Sequence, residues 1–227
     1  MGSRHTHAEI MAGYDYVRDP AEIYRRSVAA IRREVDLDSL PADLRPIALR
    51  LVHASGMPEI VADLVASPEA AARGVAALKS GAPVLVDVEM VSQGIARTQL
   101  PSNNKLLCAL NGARVPELAR ELGTTRSAAA VELWRPHLEG AVVAIGNAPT
   151  ALFHLLERLD EGWKLPALVL GFPVGFVGAA ESKDALAAQA RVPFVTLRGR
   201  RGGSAMAAAS VNALAAPDAL APDIGTP

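Results

Sequence analysis

Residues 141–189 read AVVAIGNAPT ALFHLLERLD EGWKLPALVL GFPVGFVGAA ESKDALAAQ, two apolar runs (141–146 and 167–172) each followed by a stretch of helical spacing. Neither run alternates apolar with polar residues. Continuously apolar strands are those covered on both faces, which is the pattern of parallel sheets flanked by helices. Pro149 falls where a helix takes its first residue, a position at which its missing N–H removes no bond. The segment therefore predicts strand, helix, strand, helix.

Outward from this segment the same pattern recurs. PVLVDVEM at 83–90, KLLCAL at 105–110 and PFVTLR at 193–198 complete five apolar runs, and 126–138, 150–159, 179–189 and 204–214 supply helices. Alternating strands and helices predict an α/β domain, doubly wound, with a five-stranded parallel sheet and helices on both faces. Ahead of it, roughly residues 20–80 form an N-terminal helical segment, in which Asp19-Pro20, Leu40-Pro41 and Ser67-Pro68 mark helix starts. One domain is expected over 13–216, with 1–12 a leader or tag remnant whose His5 and His7 take no part in function, and 217–227 a tail punctuated by Pro.

Composition narrows the function. Of 227 residues half are hydrophobic, 43 are Ala and 4% are aromatic, which excludes global disorder. The 23 basic and 24 acidic residues leave a net charge of −1, so no overall field steers the protein to nucleic acid or an anionic membrane. A single Cys excludes an internal disulfide. With no signal peptide and no long uncharged apolar run, a cytoplasmic protein is expected, without membrane or nucleic-acid partners. No His, Cys and acid cluster has ligand spacing, so no metal site is expected.

In open parallel sheets a ligand lies outside the carboxyl ends of the strands. Three glycine-bearing loops follow the last three runs: Gly146-Asn147-Ala148-Pro149, then Gly171-Phe172-Pro173-Val174-Gly175-Phe176-Val177-Gly178, then Arg198-Gly199-Arg200-Arg201-Gly202-Gly203-Ser204. Backbone N–H groups at glycines and helix N-termini suit carboxylates or phosphates, although each loop alone is equally an ordinary strand-to-helix turn. No phosphate-binding P-loop, no Gly-x-Gly-x-x-Gly and no Gly-x-Ser-x-Gly occurs, which weakens nucleotide and serine-hydrolase readings. Residues 185–217 carry Arg191, Arg198, Arg200 and Arg201 and no acid, a local charge of +4. Guanidinium groups pair with carboxylates in two-bond forks, and Arg126-Ser127, opening a helix after Thr124-Thr125, is a further anion candidate.

His53 lies in RPIALRLVHASGMP at 45–58, in the last turn of a helix closed by Gly56 and Pro58. There the negative end of the helix dipole favours imidazolium, which suits a general acid, although plain capping of the helix carbonyls explains the position as well. His137 and His154 sit in helical stretches without a matching acid or thiol. Cys108 is read as a small buried hydrophobe, and Asp87 and Glu89, taken as alternating in one strand, as unable to face the crevice together.

Seven segments carry a resemblance: YDYVRDPAEIYRRS (14–27), RLVHASG (50–56), VDVEMVSQGI (86–95), TRSAAA (125–130), AIGNAPTALF (144–153), GFPVGFVGAAESKDAL (171–186) and RGRRGGSAMAAA (198–209). Together they resemble the precorrin-8X methylmutase family over residues 14–214, with a departure at Gln93, where the family has His, so Gln93 is given no role. The resemblance implies a flavodoxin-like fold and a homodimer with active sites near the subunit interface. It implies a methyl shift from ring carbon 11 to ring carbon 12 of precorrin-8X to give hydrogenobyrinate, without an added cofactor. The position matching the catalytic histidine is His53, and Ser27 matches a substrate-contacting position. Arg126, Ser127, Lys183, Arg198 and the backbone of Gly202, Gly203 and Ser204 are the expected contacts to the substrate's carboxylates. The alternatives are a corrinoid carrier without chemistry that hands its ligand to a neighbouring enzyme of the pathway, the cobalt-precorrin-8 version of the same reaction, and a flavin or nucleotide module resting on fold analogy alone.

Overall fold

The computed structural model describes residues 14–189 and 191–217, so the expectations for 1–12 and for the tail beyond Pro217 lie outside the described residues. Chain order begins with α1 (Pro20–Glu34), α2 (Arg45–Ser55), β1 (Leu64–Ala66), α3 (Ala70–Lys79), β2 (Val84–Val86) and α4 (Glu89–Gly94). It continues with β3 (Leu106–Cys108), α5 (Val115–Glu121), α6 (Arg126–Glu132), β4 (Val142–Ile145) and α7 (Pro149–Asp160). Last come β5 (Leu168–Gly171), α8 (Ala179–Ala188), β6 (Phe194–Leu197) and α9 (Ser204–Ala215). None of the described helices is long and apolar enough to cross a membrane.

The sheet has six strands in the order β1-β6-β5-β4-β2-β3, and it is mixed. All five expected runs hold its strands, and β2 to β6 are mutually parallel. The expectation of a five-stranded, wholly parallel sheet is corrected by β1, which pairs antiparallel with β6 through Leu64 opposite Leu197, Val65 opposite Thr196 and Ala66 opposite Val195. Three half-buried residues carry no periodicity that could announce a strand, and the pairing is supplied by the β6 edge. The first run also ends sooner than expected: β2 stops at Val86, and Glu89 opens α4 rather than continuing the strand.

Alternation within the strands sorts the core into two layers. Val142 and Ala144 of β4 face α2, α3, α4 and α9, whereas Val143 and Ile145 face α7 and α8. The alanine content is concentrated in α9, where Ala207, Ala208, Ala209 and Ala213 are buried, as suits a helix apolar on nearly every side. Small residues let backbones close up: a Cβ on Gly94 would stand 2.7 Å from the Ala208 Cβ. The first helix is well marked, since Asp19 caps α1 by accepting from the Ala21 N–H at 3.0 Å and Pro20 follows. The other two Pro signals lie a few residues early, because α2 begins at Arg45 and α3 at Ala70.

Candidate active site

His53 ends α2 as expected, with Gly56 in the left-handed conformation (φ 68°) that lets the chain turn away. Residues 58–63 then form a 3₁₀ turn that leads into β1. Because β1 runs against β6, the start of β1 lies beside the carboxyl end of β6, and the end of α2 is carried to the edge where the glycine-bearing loops emerge. Two contacts seal this junction: the Arg198 N–H donates to the Asp63 carbonyl at 2.8 Å, and Arg201 pairs with Glu59 at 3.4 Å. His53 and Ser27 line one cleft of about 320 Å³, with Ile31, Glu34, Val52 and Pro58 among its walls. Ser27 Oγ donates to the Ile23 carbonyl at 2.9 Å, one turn back on α1. The Tyr24 ring meets the His53 ring edge-on, 5.8 Å between centroids.

The loop from 198 to 203 is shaped by close approach. A Cβ on Gly202 would stand 2.3 Å from the Phe172 carbonyl oxygen and 2.6 Å from that of Pro173, so only glycine fits, and the Gly203 N–H donates to the Phe172 carbonyl at 2.8 Å. Ser204 then opens α9, whose N-terminus carries no side-chain cap.

Lys183 departs from the expected role of an open carboxylate contact. It is 1% exposed, and its Nζ donates to the Arg201 carbonyl at 2.5 Å, so it ties α8 to the loop from beneath. Burial pushes its ammonium down to about 8, against opposing pulls from Asp184 and Asp63. A lysine whose folded value lies below its unfolded one is penalised while charged in both states. Stability should therefore rise with pH from about 8 toward about 10.5, the ordinary lysine value. Thermal melts of Lys183→Met across that range are expected to lose the rise, and an unchanged pH profile would count against it.

The arginines also fall out differently through space. Arg191 pairs with Asp160 at 3.5 Å at the amino end of β6, away from the rim, and Arg201 is matched by Glu59, so the acid-free stretch is not unneutralised. Among the described residues Arg198 and Arg200 have no carboxylate partner, and Arg200 lies over the Phe176 ring at 5.4 Å. Arg126 and Ser127 lie toward the other end of the rim. Thr125 caps α6 by accepting from the Ala128 N–H at 3.2 Å, and Arg126 Nη2 donates to the Leu110 carbonyl and Asn111 Oδ1, both at 3.3 Å, just past β3. From β6 to β3 is four strand spacings, about 19 Å. His53 and Ser27 thus share one cleft, and the loop at 198–203 is tied to the segment that follows α2 through Asp63 and Glu59, whereas Arg126 and Ser127 stand past β3 and β4, where Thr125 and Thr150 share a hydroxyl hydrogen bond of 2.8 Å.

Sequence reasoning took Asp87 as one of two strand carboxylates and missed what it holds. Its carboxylate is 2% exposed and accepts from the backbone N–H groups of Gly146, Asn147 and Ala148, each at 2.9 Å, so a residue just past β2 holds the turn that leads from β4 into α7. Burial pushes this carboxyl up, while the three bonds pull it down. It also missed Glu132, which meets His154 Nε2 at 2.7 Å from a different helix, and Glu59, one residue beyond the Pro58 that closes the His53 segment. Cys108 is half-buried with its thiol pushed up to about 11, by burial first and by Glu89 beside it, which opposes a nucleophilic role.

Comparison with known proteins gives the site its context. The CbiC family model, described as precorrin-8X methylmutase, matches residues 22–216. A precorrin-8X methylmutase of Pseudomonas aeruginosa is 62% identical over 202 residues, 88% of this chain and 97% of that protein. One from Sinorhizobium is 55% identical over 208 residues, covering 91% and 99%. The crystal structure of a precorrin-8X methylmutase from Thermus thermophilus aligns over 91% of this chain and all of that one, with a TM-score of 0.79 and 35% identity. A family match that spans the sheet, both helical layers and the cleft, with relatives this close, shows that the chain belongs to the precorrin-8X methylmutase family, isomerases of cobalamin biosynthesis.

Proposed function

We propose that the protein moves a methyl group from ring carbon 11 to ring carbon 12 of metal-free precorrin-8X, giving hydrogenobyrinate, with His53 as general acid. The observation that carries the reading is the cleft in which His53 and Ser27 meet at the carboxyl edge of the sheet. His53 donates a proton or hydrogen bond to the macrocycle, the receiving carbon becomes electron-poor, and the methyl migrates with its bonding pair as the ring double bonds reorganise. No electrons enter or leave. Ser27, its own proton committed to Ile23, meets the ligand as an acceptor. Arg198, the uncapped start of α9 and the Gly202-Gly203-Ser204 backbone take substrate carboxylates, since guanidinium groups and helix N-termini favour anions. The metal-free substrate is supported by the names of the two relatives above, at 62% and 55% identity.

Residues 13–216 act as one domain in this reading, in the cytoplasm. A flavodoxin-type layout is supported by the parallel strands, whose order counted alone is 2-1-3-4-5. A homodimer is supported by the placing of Arg126 and Ser127, which stand at the part of the rim past β3 and β4 rather than in the cleft of His53 and Ser27, so that a second chain is a natural source of them for that cleft. Phe176 and Val177, 86% and 89% exposed beside this rim, are the kind of apolar surface an interface covers.

Adding precorrin-8X to the protein is expected to change the absorbance spectrum to that of hydrogenobyrinate, whereas a carrier would bind without that conversion. Replacing Arg126 by Ala is expected to weaken binding roughly tenfold in a titration followed by absorbance, the value of a charge-assisted pair. Unchanged affinity would remove Arg126 from the site.

A further inference from the structure

A histidine that presents one ring nitrogen to a ligand is commonly held by a hydrogen bond on the other, from a carbonyl or carboxylate. His53 has no such partner among the described residues. It is exposed on the last turn of α2, where the helix disfavours the χ1 well near +60° and leaves the other two open to it. What touches the imidazole is the Tyr24 ring, with 5.8 Å between centroids and 66° between planes. Edge-to-face pairs favour one relative orientation, so the contact weights one rotamer over the others. Tyr24 is itself anchored, packed from α1 onto the core layer that contains α2. It stands three residues before Ser27, which places both on one face of α1. Burial pushes the Tyr24 phenol up, against the Arg50 guanidinium one turn before His53, so the ring stays neutral at working pH.

We infer that Tyr24 is a positioning residue, whose ring sets the orientation of the His53 imidazole toward the cleft it shares with Ser27. The inference rests on the reading of His53 as the acid. It explains why one helix serves both residues of the cleft: α1 presents Ser27 to the ligand and, one turn earlier, the ring that steadies the histidine on α2.

The test joins kinetics to NMR of the His53 ring protons in the full chain without substrate. Tyr24→Phe keeps the ring and is expected to leave both the ring-current-shifted His53 signals and kcat close to the parent. Tyr24→Leu and Tyr24→Met fill the space without a ring. Both are expected to move those signals to free-imidazole positions and to lower kcat about tenfold with KM within about twofold, a loss of orientation rather than of binding. Two aliphatic side chains of different shape separate this from a local packing fault, because a fault would differ between them and a lost ring would not. His53 signals and kcat unchanged in both aliphatic variants, or a Tyr24→Phe protein as impaired as they are, would overturn the inference. Signals that behave as expected in a parent protein without methylmutase turnover would leave the positioning role standing and sink the acid role alone.

Discussion

His53→Ala is expected to bind precorrin-8X and convert it about 10²- to 10⁴-fold more slowly than the parent, the usual worth of a positioned general acid. Apart from the Tyr24 ring contact, little else depends on the side chain. It is exposed, it has no hydrogen bond to a described residue, and its backbone continues an α-helix that alanine favours. The variant should therefore melt as the parent does and retain affinity, since the arginine and backbone contacts proposed for the carboxylates lie on other elements. Single-turnover absorbance with saturating substrate separates the chemical step from binding. Turnover within a factor of about three of the parent would end the acid role.

Asp87→Ala is expected to have the largest effect on stability, more than about 3 kcal/mol by denaturant titration, because three backbone N–H groups lose their acceptor at once. Gly146 and Ala148 are buried, so water cannot readily replace the carboxylate there. Close packing makes the site intolerant of relaxation: a Cβ on Gly146 would stand 2.8 Å from Ser204 Cα and 2.9 Å from the Ala207 Cβ, so the turn after β4 is pressed against the start of α9. Asp87→Asn keeps a carbonyl acceptor and should recover part of the loss. A deficit below about 1 kcal/mol for the alanine variant would show that the turn holds its shape without the carboxylate.

Much of the scaffold is legible in local chemistry. The apolar runs at 83–90, 105–110, 141–146, 167–172 and 193–198 each hold a strand, and α7 and α9 begin within a residue of where Pro149 and Ser204 place them. His53 at a helix end follows from Gly56, whose left-handed backbone is a property of the residue itself. The candidate site was less legible. Lys183 and Arg201 sit in segments that read as open and basic. One is buried under a loop and the other is paired, because their partners, the Arg201 carbonyl and Glu59, are remote in sequence. Asp87 reads as one of two strand carboxylates until the strand ends at Val86 and the turn after β4 closes on it.

By itself the sequence determined the alternation of strands and helices, the doubly covered parallel strands and the placing of His53 at a helix terminus, since these depend on side-chain period, proline and glycine within a few residues. Only the tertiary structure decided that His53 belongs at the rim. Three residues of β1 turn back along β6, and that reversal carries the end of α2 to the carboxyl edge beside the loop at 198–203. Strand pairing is a contact between backbones far apart in the chain, satisfied by whatever edge is free, so a segment this short carries no periodic trace of its direction.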